Sequence, residues 1–135
     1  MLKRLPTTFG CPVELTLEVL GGKWKPVILA HLKDGALRYG ELRARIPNLS
    51  DKVLTERLRD LEDRGLVARQ STRESATRES ATRKAATRGA PRERPQVVYH
   101  LTKRGNSLRP VLTALYAWGE DAAPELGVTV KLLDG

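Results

Sequence analysis

The sequence predicts an α+β fold that is mostly α, and three observations predict it. Between residues 11 and 70, apolar side chains recur among charges at helical spacing, in four separable runs. Two runs of strand character, Leu66-Val67-Ala68-Arg69 and Gln96-Val97-Val98-Tyr99-His100-Leu101, flank a long polar stretch. A last helical pattern follows Thr102.

The first helix starts at Pro12, because proline suits a first helical position and leaves Cys11 as the N-cap. Val13, Thr16, Leu17 and Leu20 line one face, and Leu15 and Val19 line another. So short a helix with two apolar faces needs two partners, one of which a second subunit can supply. Gly21-Gly22 stops it. A second helix runs from about Trp24 to Lys33, with Pro26 in its first turn and Asp34-Gly35 at its end. A third, from about Tyr39 to Arg45, buries Leu42 and Ile46, and Pro47-Asn48-Leu49 turns the chain. The fourth is capped by Ser50 and closed by Gly65. Its Leu54, Leu58 and Leu61 form one stripe, while Lys52, Thr55, Glu56, Arg57, Arg59 and Arg64 lie opposite. The two strand runs can then pair as a hairpin. Thr102 caps a final helix with Leu108, Val111, Leu112, Leu115 and Trp118 in its stripe, and Pro110 is expected to kink it. The tail from Leu126 to Leu132 alternates too weakly to assign.

Composition bounds the rest. In 135 residues, 40% apolar, there is enough to bury one core, so residues 1–135 read as a single domain with a C-terminal tail over 123–135. No apolar run approaches the roughly 20 residues of a membrane span. The start, Met1-Leu2-Lys3-Arg4-Leu5-Pro6, lacks the apolar core of a signal peptide, so a cytoplasmic protein is expected. The single cysteine excludes an internal disulfide and a multi-cysteine zinc site, and no cofactor or metal is expected. A net charge of +8 favours polyanionic partners, nucleic acid or an anionic membrane surface. The six aromatic residues do not interleave with basic runs, which disfavours single-strand binding by base stacking.

Residues 71–94 differ from everything around them. Thr72-Arg73-Glu74-Ser75-Ala76 is followed by Thr77-Arg78-Glu79-Ser80-Ala81, Thr82-Arg83-Lys84-Ala85-Ala86 and Thr87-Arg88-Gly89-Ala90, a repeat of period five. Five matches neither the 3.6 of a helix face nor the 2 of a strand face. The stretch reads as an extended wing: either a passive polar insertion or an electrostatic arm. In the second reading Arg73, Arg78, Arg83, Lys84 and Arg88 neutralise phosphates without reading sequence, with Glu74 and Glu79 opposing them.

Short helix, tight turn, helix with a charged outer face, hairpin: this is the order of a winged helix-turn-helix with a long basic wing. In that geometry the leucine stripe anchors the fourth helix while its polar side enters the major groove of double-stranded DNA. Ser50, Asp51, Lys52, Val53, Thr55 and Glu56, at its start, are the candidates to reach bases. Arg57 and Arg59, further along, are placed for phosphates or a guanine edge.

The chain also resembles a known family, the HxlR-type transcription regulators of bacteria and archaea. The resemblance is carried by Cys11-Pro12-Val13, Leu20-Gly21-Gly22-Lys23-Trp24, Tyr39-Gly40-Glu41-Leu42, Leu49-Ser50-Asp51-Lys52-Val53-Leu54-Thr55, the run from Leu58 to Val67, Val98-Tyr99-His100-Leu101-Thr102 and Leu115-Tyr116-Ala117-Trp118-Gly119. It covers residues 8–70 and 95–122 and omits 71–94, where the family's wing is usually short. It implies a homodimer joined through the first and last helices, a pseudo-palindromic operator and a recognition helix starting at Ser50. Some HxlR-type proteins use a cysteine at the place of Cys11 to sense oxidants, quinones or aldehydes. A helix N-terminus favours the thiolate, which agrees with that role, although a lone cysteine is commonly just a small buried apolar group. No small-molecule effector can be named.

Two rival readings stand beside this one. An enzyme would need a catalytic constellation, and the chain has no G-x-S-x-G, no H-E-x-x-H and no complete phosphate loop. What remains is a Cys11 nucleophile with His31 as base, whereas His31 and His100 sit on core-forming elements and read as structural. The other rival is a sequence-neutral architectural nucleic-acid-binding protein. In the regulator reading Trp24, Leu29, Leu42, Leu54, Leu58, Leu61, Tyr99 and Leu101 belong to the core. Leu108, Leu112, Leu115 and Trp118 are shared between core and dimer interface.

Overall fold

A computed structural model describes residues 5–71 and 96–131. The order of elements is α1 (Pro12–Leu20), α2 (Trp24–Leu32), β1 (Leu37–Arg38), α3 (Tyr39–Arg45), α4 (Asp51–Asp63), β2 (Val67–Ser71), β3 (Val97–Leu101), α5 (Lys103–Asn106) and α6 (Arg109–Glu125). The fold is α+β, mostly α. The helix boundaries follow the local chemistry. Cys11 is the extended N-cap of α1 with Pro12 behind it. The Ser50 hydroxyl accepts the Val53 N–H at the start of α4. After α4 the chain reverses at Gly65, with φ of 74°, where a Cβ would be strained.

β2 and β3 pair antiparallel, Val67 opposite Leu101 and Ser71 opposite Val97, so the expected hairpin is present. Its tip, with Arg73, Arg78, Arg83, Lys84 and Arg88, lies outside the described residues. A third strand joins it: β1 pairs with β3, Leu37 opposite Tyr99, giving the order β1-β3-β2. The sequence did not reveal β1, because two residues are too few to show an alternation.

The core is one cluster. Ile28, Leu29 and Leu32 of α2 meet Leu42 and Ile46 at α3, Leu54, Leu58 and Leu61 of α4, and Leu66, Val67 and Leu101 of the sheet. Trp24 and Tyr99, expected inside, are only partly buried and pack against its edge. Leu112 is buried and Leu108 partly so, but Leu115 is 53% and Trp118 70% exposed. These last two take no part in this chain's own core.

The last helix departs from expectation. Pro110 does not kink a continuous helix. The chain forms α5, turns at Ser107-Leu108, and restarts with Pro110 in the first turn of α6, where a missing N–H costs nothing. Helix α6 also runs to Glu125, so the expected tail of 123–135 begins inside it. Thr102 caps α5 as expected, accepting the Gly105 N–H at 3.1 Å and donating to the Gly65 carbonyl. Gly105 lies directly against the Leu66 carbonyl oxygen, which a methyl group would overlap. This close approach locks the end of the hairpin against the end of α4.

Candidate nucleic-acid interface

Helix α4 stands on the core through one face and shows solvent the other. Leu54, Leu58 and Leu61 are buried, whereas Lys52, Glu56, Arg59 and Asp63 recur at helical spacing on the far side and are exposed. That outward row alternates in sign, two cations with two carboxylates. The two flanks of α4 are each tied down. On the α2 side, Asp60 Oδ2 is 3.8 Å from both Lys25 Nζ and Arg57 Nη1. Lys25 is only 8% exposed, its aliphatic stem lying along the core.

On the α3 side lies a tighter cluster. The Tyr39 hydroxyl is 2.9 Å from Asp51 Oδ1, and Arg43 Nε is 2.8 Å from the same oxygen. Arg43 also donates through Nη1 to the Leu49 carbonyl, so it spans the turn between the two helices. Thr55 Oγ1 is 3.3 Å from the Tyr39 hydroxyl. A surface ion pair of this kind adds little stability, about 0–1 kcal/mol, so its consequence is orientation. It fixes α4 against α3 and neutralises a carboxylate that phosphates would repel.

At the far end, Arg69 Nε of the hairpin is 3.0 Å from Glu62 Oε1 of α4, and Arg69 faces Tyr99 across the strands. Burial, and next the Glu62 carboxylate, push the Tyr99 phenol above its ordinary value, with Arg69 opposing them. The hairpin is thus hinged to α4 by a charge pair as well as by packing.

The helix, turn, helix and hairpin are those of a winged helix-turn-helix, and comparison with known proteins gives the family. The HxlR-like helix-turn-helix family matches residues 19–126. The chain belongs to that family. An uncharacterized HTH-type transcriptional regulator of Methanothermobacter thermautotrophicus is 38% identical over 110 residues, 82% of this chain and 70% of the relative. The structure of the redox regulator HypR in its reduced form matches with a TM-score of 0.67 at 33% identity, over 87% of this chain and 98% of HypR. The reduced transcriptional regulator YodB of Bacillus subtilis matches with a TM-score of 0.60 at 31% identity, over 83% of this chain and 93% of YodB. This HxlR-like chain is a DNA-binding transcriptional regulator and not an enzyme.

The expected DNA-contacting residues of this HxlR-like protein fall into three groups. Lys52, Glu56 and Arg59 face outward and are free to reach a groove. Ser50, Asp51, Val53, Thr55 and Arg57 hold positions at the start or flanks of α4, with Ser50 capping, Asp51 bound by Tyr39 and Arg43, and Arg57 half-buried beside Asp60. The wing residues Arg73, Arg78, Arg83, Lys84 and Arg88 lie outside the described residues. Sequence alone does not single out Tyr39 and Arg43. Nothing in a spacing of 12 or 8 residues across a turn signals that they meet Asp51, and only the packing of α3 on α4 brings them there.

Cys11 is exposed at the start of α1 and makes no capping bond with its side chain. The cations just after α1 are engaged elsewhere, Lys23 over the Trp24 ring at 4.4 Å and Lys25 beside Asp60. Among the described residues, Glu14 lies near it and its carboxylate takes the Gly10 N–H at 2.9 Å. His31 is half-buried on α2, and burial, then Arg45, hold its pKa below the usual value. Around α1 and α6 the surface is apolar: Val13, Leu15, Leu17, Leu115, Tyr116 and Trp118 are exposed. A groove of about 470 Å³ runs between α1, α2 and α6, lined by Val13, Leu17, Leu20, Val111 and Leu115. Among the described residues, no helix is long and apolar enough to cross a membrane.

Proposed function

We propose that the chain acts in the cytoplasm as a homodimeric, single-domain repressor or activator that reads a pseudo-palindromic operator near a promoter. The observation that carries this is α4 itself. Three leucines fix it to the core, the Tyr39-Arg43-Asp51 cluster fixes its angle to α3, and Lys52, Glu56 and Arg59 point away from both. Lys52 and Arg59 can donate to guanine O6 and N7 or to phosphates, and Glu56 can accept from a cytosine amino group. The dimer is supported by the apolar surface of α1 and α6, which a second copy of the same helices would cover. Two α4 helices then sit about 34 Å apart, one turn of DNA. The wing repeat, through Arg73, Arg78, Arg83, Lys84 and Arg88, acts along the phosphate backbone.

Selection from a pool of randomised duplexes tests the proposal. It should enrich an inverted repeat with half-site centres about 10 base pairs apart. Enrichment of nothing, with uniform binding, would favour an architectural protein instead. A second role, thiol sensing by Cys11, is supported by its exposure at a helix N-terminus and by the likeness to HypR, described as a redox regulator. An oxidant or electrophile should change the affinity for the selected site in the wild type and not in Cys11→Ser. A Cys11→Ser protein that still responds contradicts the role.

A further inference from the structure

We infer that Tyr39, which need not touch DNA, sets the hydrogen-bonding character of Thr55 and thereby what Thr55 can read. This rests on the proposal that α4 lies in the major groove. Tyr39 has one hydroxyl proton and two neighbours for it, Asp51 and Thr55. The Asp51 carboxylate is charged, accepts only, and is the nearer at 2.9 Å against 3.3 Å, so the proton goes to Asp51. The second acceptor within reach of that proton, at 3.2 Å, is the carbonyl of the same Asp51. Arg43 pairs with the same Asp51 oxygen at 2.8 Å and holds it in place. With its proton committed, the Tyr39 oxygen can only accept, and Thr55 supplies the proton. The chain of hydroxyls therefore has one direction: Thr55 donates to Tyr39, which donates to Asp51, which is paired with Arg43. Thr55 is left with free lone pairs and no proton to offer, and it meets the groove as an acceptor. It can take an amino hydrogen from adenine N6 or cytosine N4 and gains nothing from guanine O6 or thymine O4. Tyr39 is a positioning residue in this account, and Thr55 reads.

The test measures binding to the selected duplex, to duplexes with each base pair reversed in turn, and to duplexes in which one major-groove amino group is replaced by hydrogen (purine for adenine, 2-pyrimidinone for cytosine). The proteins are the wild type, Tyr39→Phe, Thr55→Ser and Thr55→Val. One position should respond to Thr55→Val. There, reversal and loss of the amino group should each weaken wild-type binding by roughly fivefold, one hydrogen bond's worth. Thr55→Ser should keep both effects and Thr55→Val should lose both. Tyr39→Phe should lose the effect of reversal at that position alone, because the freed hydroxyl can donate as well as accept. The inference is overturned if no position responds to Thr55→Val, or if loss of the amino group is without effect in the wild type. Uniform weakening by Tyr39→Phe with the reversal effect kept at that position would also overturn it, since Tyr39 would then only brace the helices. If Tyr39→Phe does not fold, the amino-group effect in the serine and valine proteins still decides. A wild type that selects no sequence would instead defeat the reading of α4 itself.

Discussion

Helices α1 and α4 both carry apolar residues at helical spacing, and the fold treats them oppositely. In α4 all three leucines are buried, and everything opposite them is polar. In α1 only Leu20 is buried, while Val13 and Leu17 remain 62% and 64% exposed. One stripe of apolar residues is satisfied by one core. Two apolar faces on nine residues are not, and Val13 and Leu17, left uncovered, share a groove with the equally uncovered Leu115 of α6. The difference teaches that α4 is anchored by its own chain in order to display polar groups. α1 displays apolar groups, the kind of surface a second chain covers.

The comparison can be broken most forcefully inside the α4 anchorage. Leu58→Ala should cost about 2–5 kcal/mol of folding stability, because it removes a buried side chain and leaves a cavity; a denaturant titration measures it. Gly105→Ala should cost about 1–3 kcal/mol, by forcing a methyl into the Leu66 carbonyl that joins the hairpin to α4. On the α1 side the expectation reverses. Leu17→Lys should leave the secondary structure intact in circular dichroism yet reduce the light-scattering mass from twice the 15.0 kDa chain to one. A mass of one chain in the wild type at micromolar concentration would contradict the dimer outright.

Smaller effects sharpen the picture at the wing and at His31. Residues 72–90 hold five cations, Arg73, Arg78, Arg83, Lys84 and Arg88, and two carboxylates, Glu74 and Glu79. Deleting them should preserve fold and dimer. If they follow the backbone, affinity falls equally for selected and random DNA, and the salt slope becomes shallower by about 0.9 for each phosphate no longer neutralised. The cut belongs after Ser71, which is part of β2. The least effect is expected from His31. Its pKa is lowered in the folded chain, so below 6.5 the unfolded chain binds protons that the folded one does not. Stability should therefore be complete above that pH and decline as pH falls from 6.5 through the lowered value. In His31→Gln this part of the decline should vanish from melting curves.

The sequence made the anchors legible and left the cross-links hidden. The Leu54-Leu58-Leu61 stripe, the Ser50 cap and the two paired strands are local patterns, written in spacing or in one residue's chemistry, and all are present. Pro110 misleads because a proline speaks equally for a kink and for a start, and the Thr102 cap close before it hides the turn at Ser107-Leu108. β1 is too short to have a period. In the interface, the outward Lys52, Glu56 and Arg59 can be placed from helical spacing alone. The engagement of Asp51 by Tyr39 and Arg43 cannot, because it depends on the crossing of α3 over α4, which no single segment encodes. That engagement holds Asp51 against α3 at the start of α4.

The central claim is that α4 carries sequence preference while the charges around it carry affinity. It is tested most directly by competition between the selected duplex and bulk DNA for the wild type, Lys52→Ala and Thr55→Ala. The wild type should prefer its site by about a thousandfold or more. Each substitution should remove roughly 1–3 kcal/mol of that preference and change binding to bulk DNA far less. If both variants keep the full preference, α4 is not the reading element, and this account of the interface is wrong.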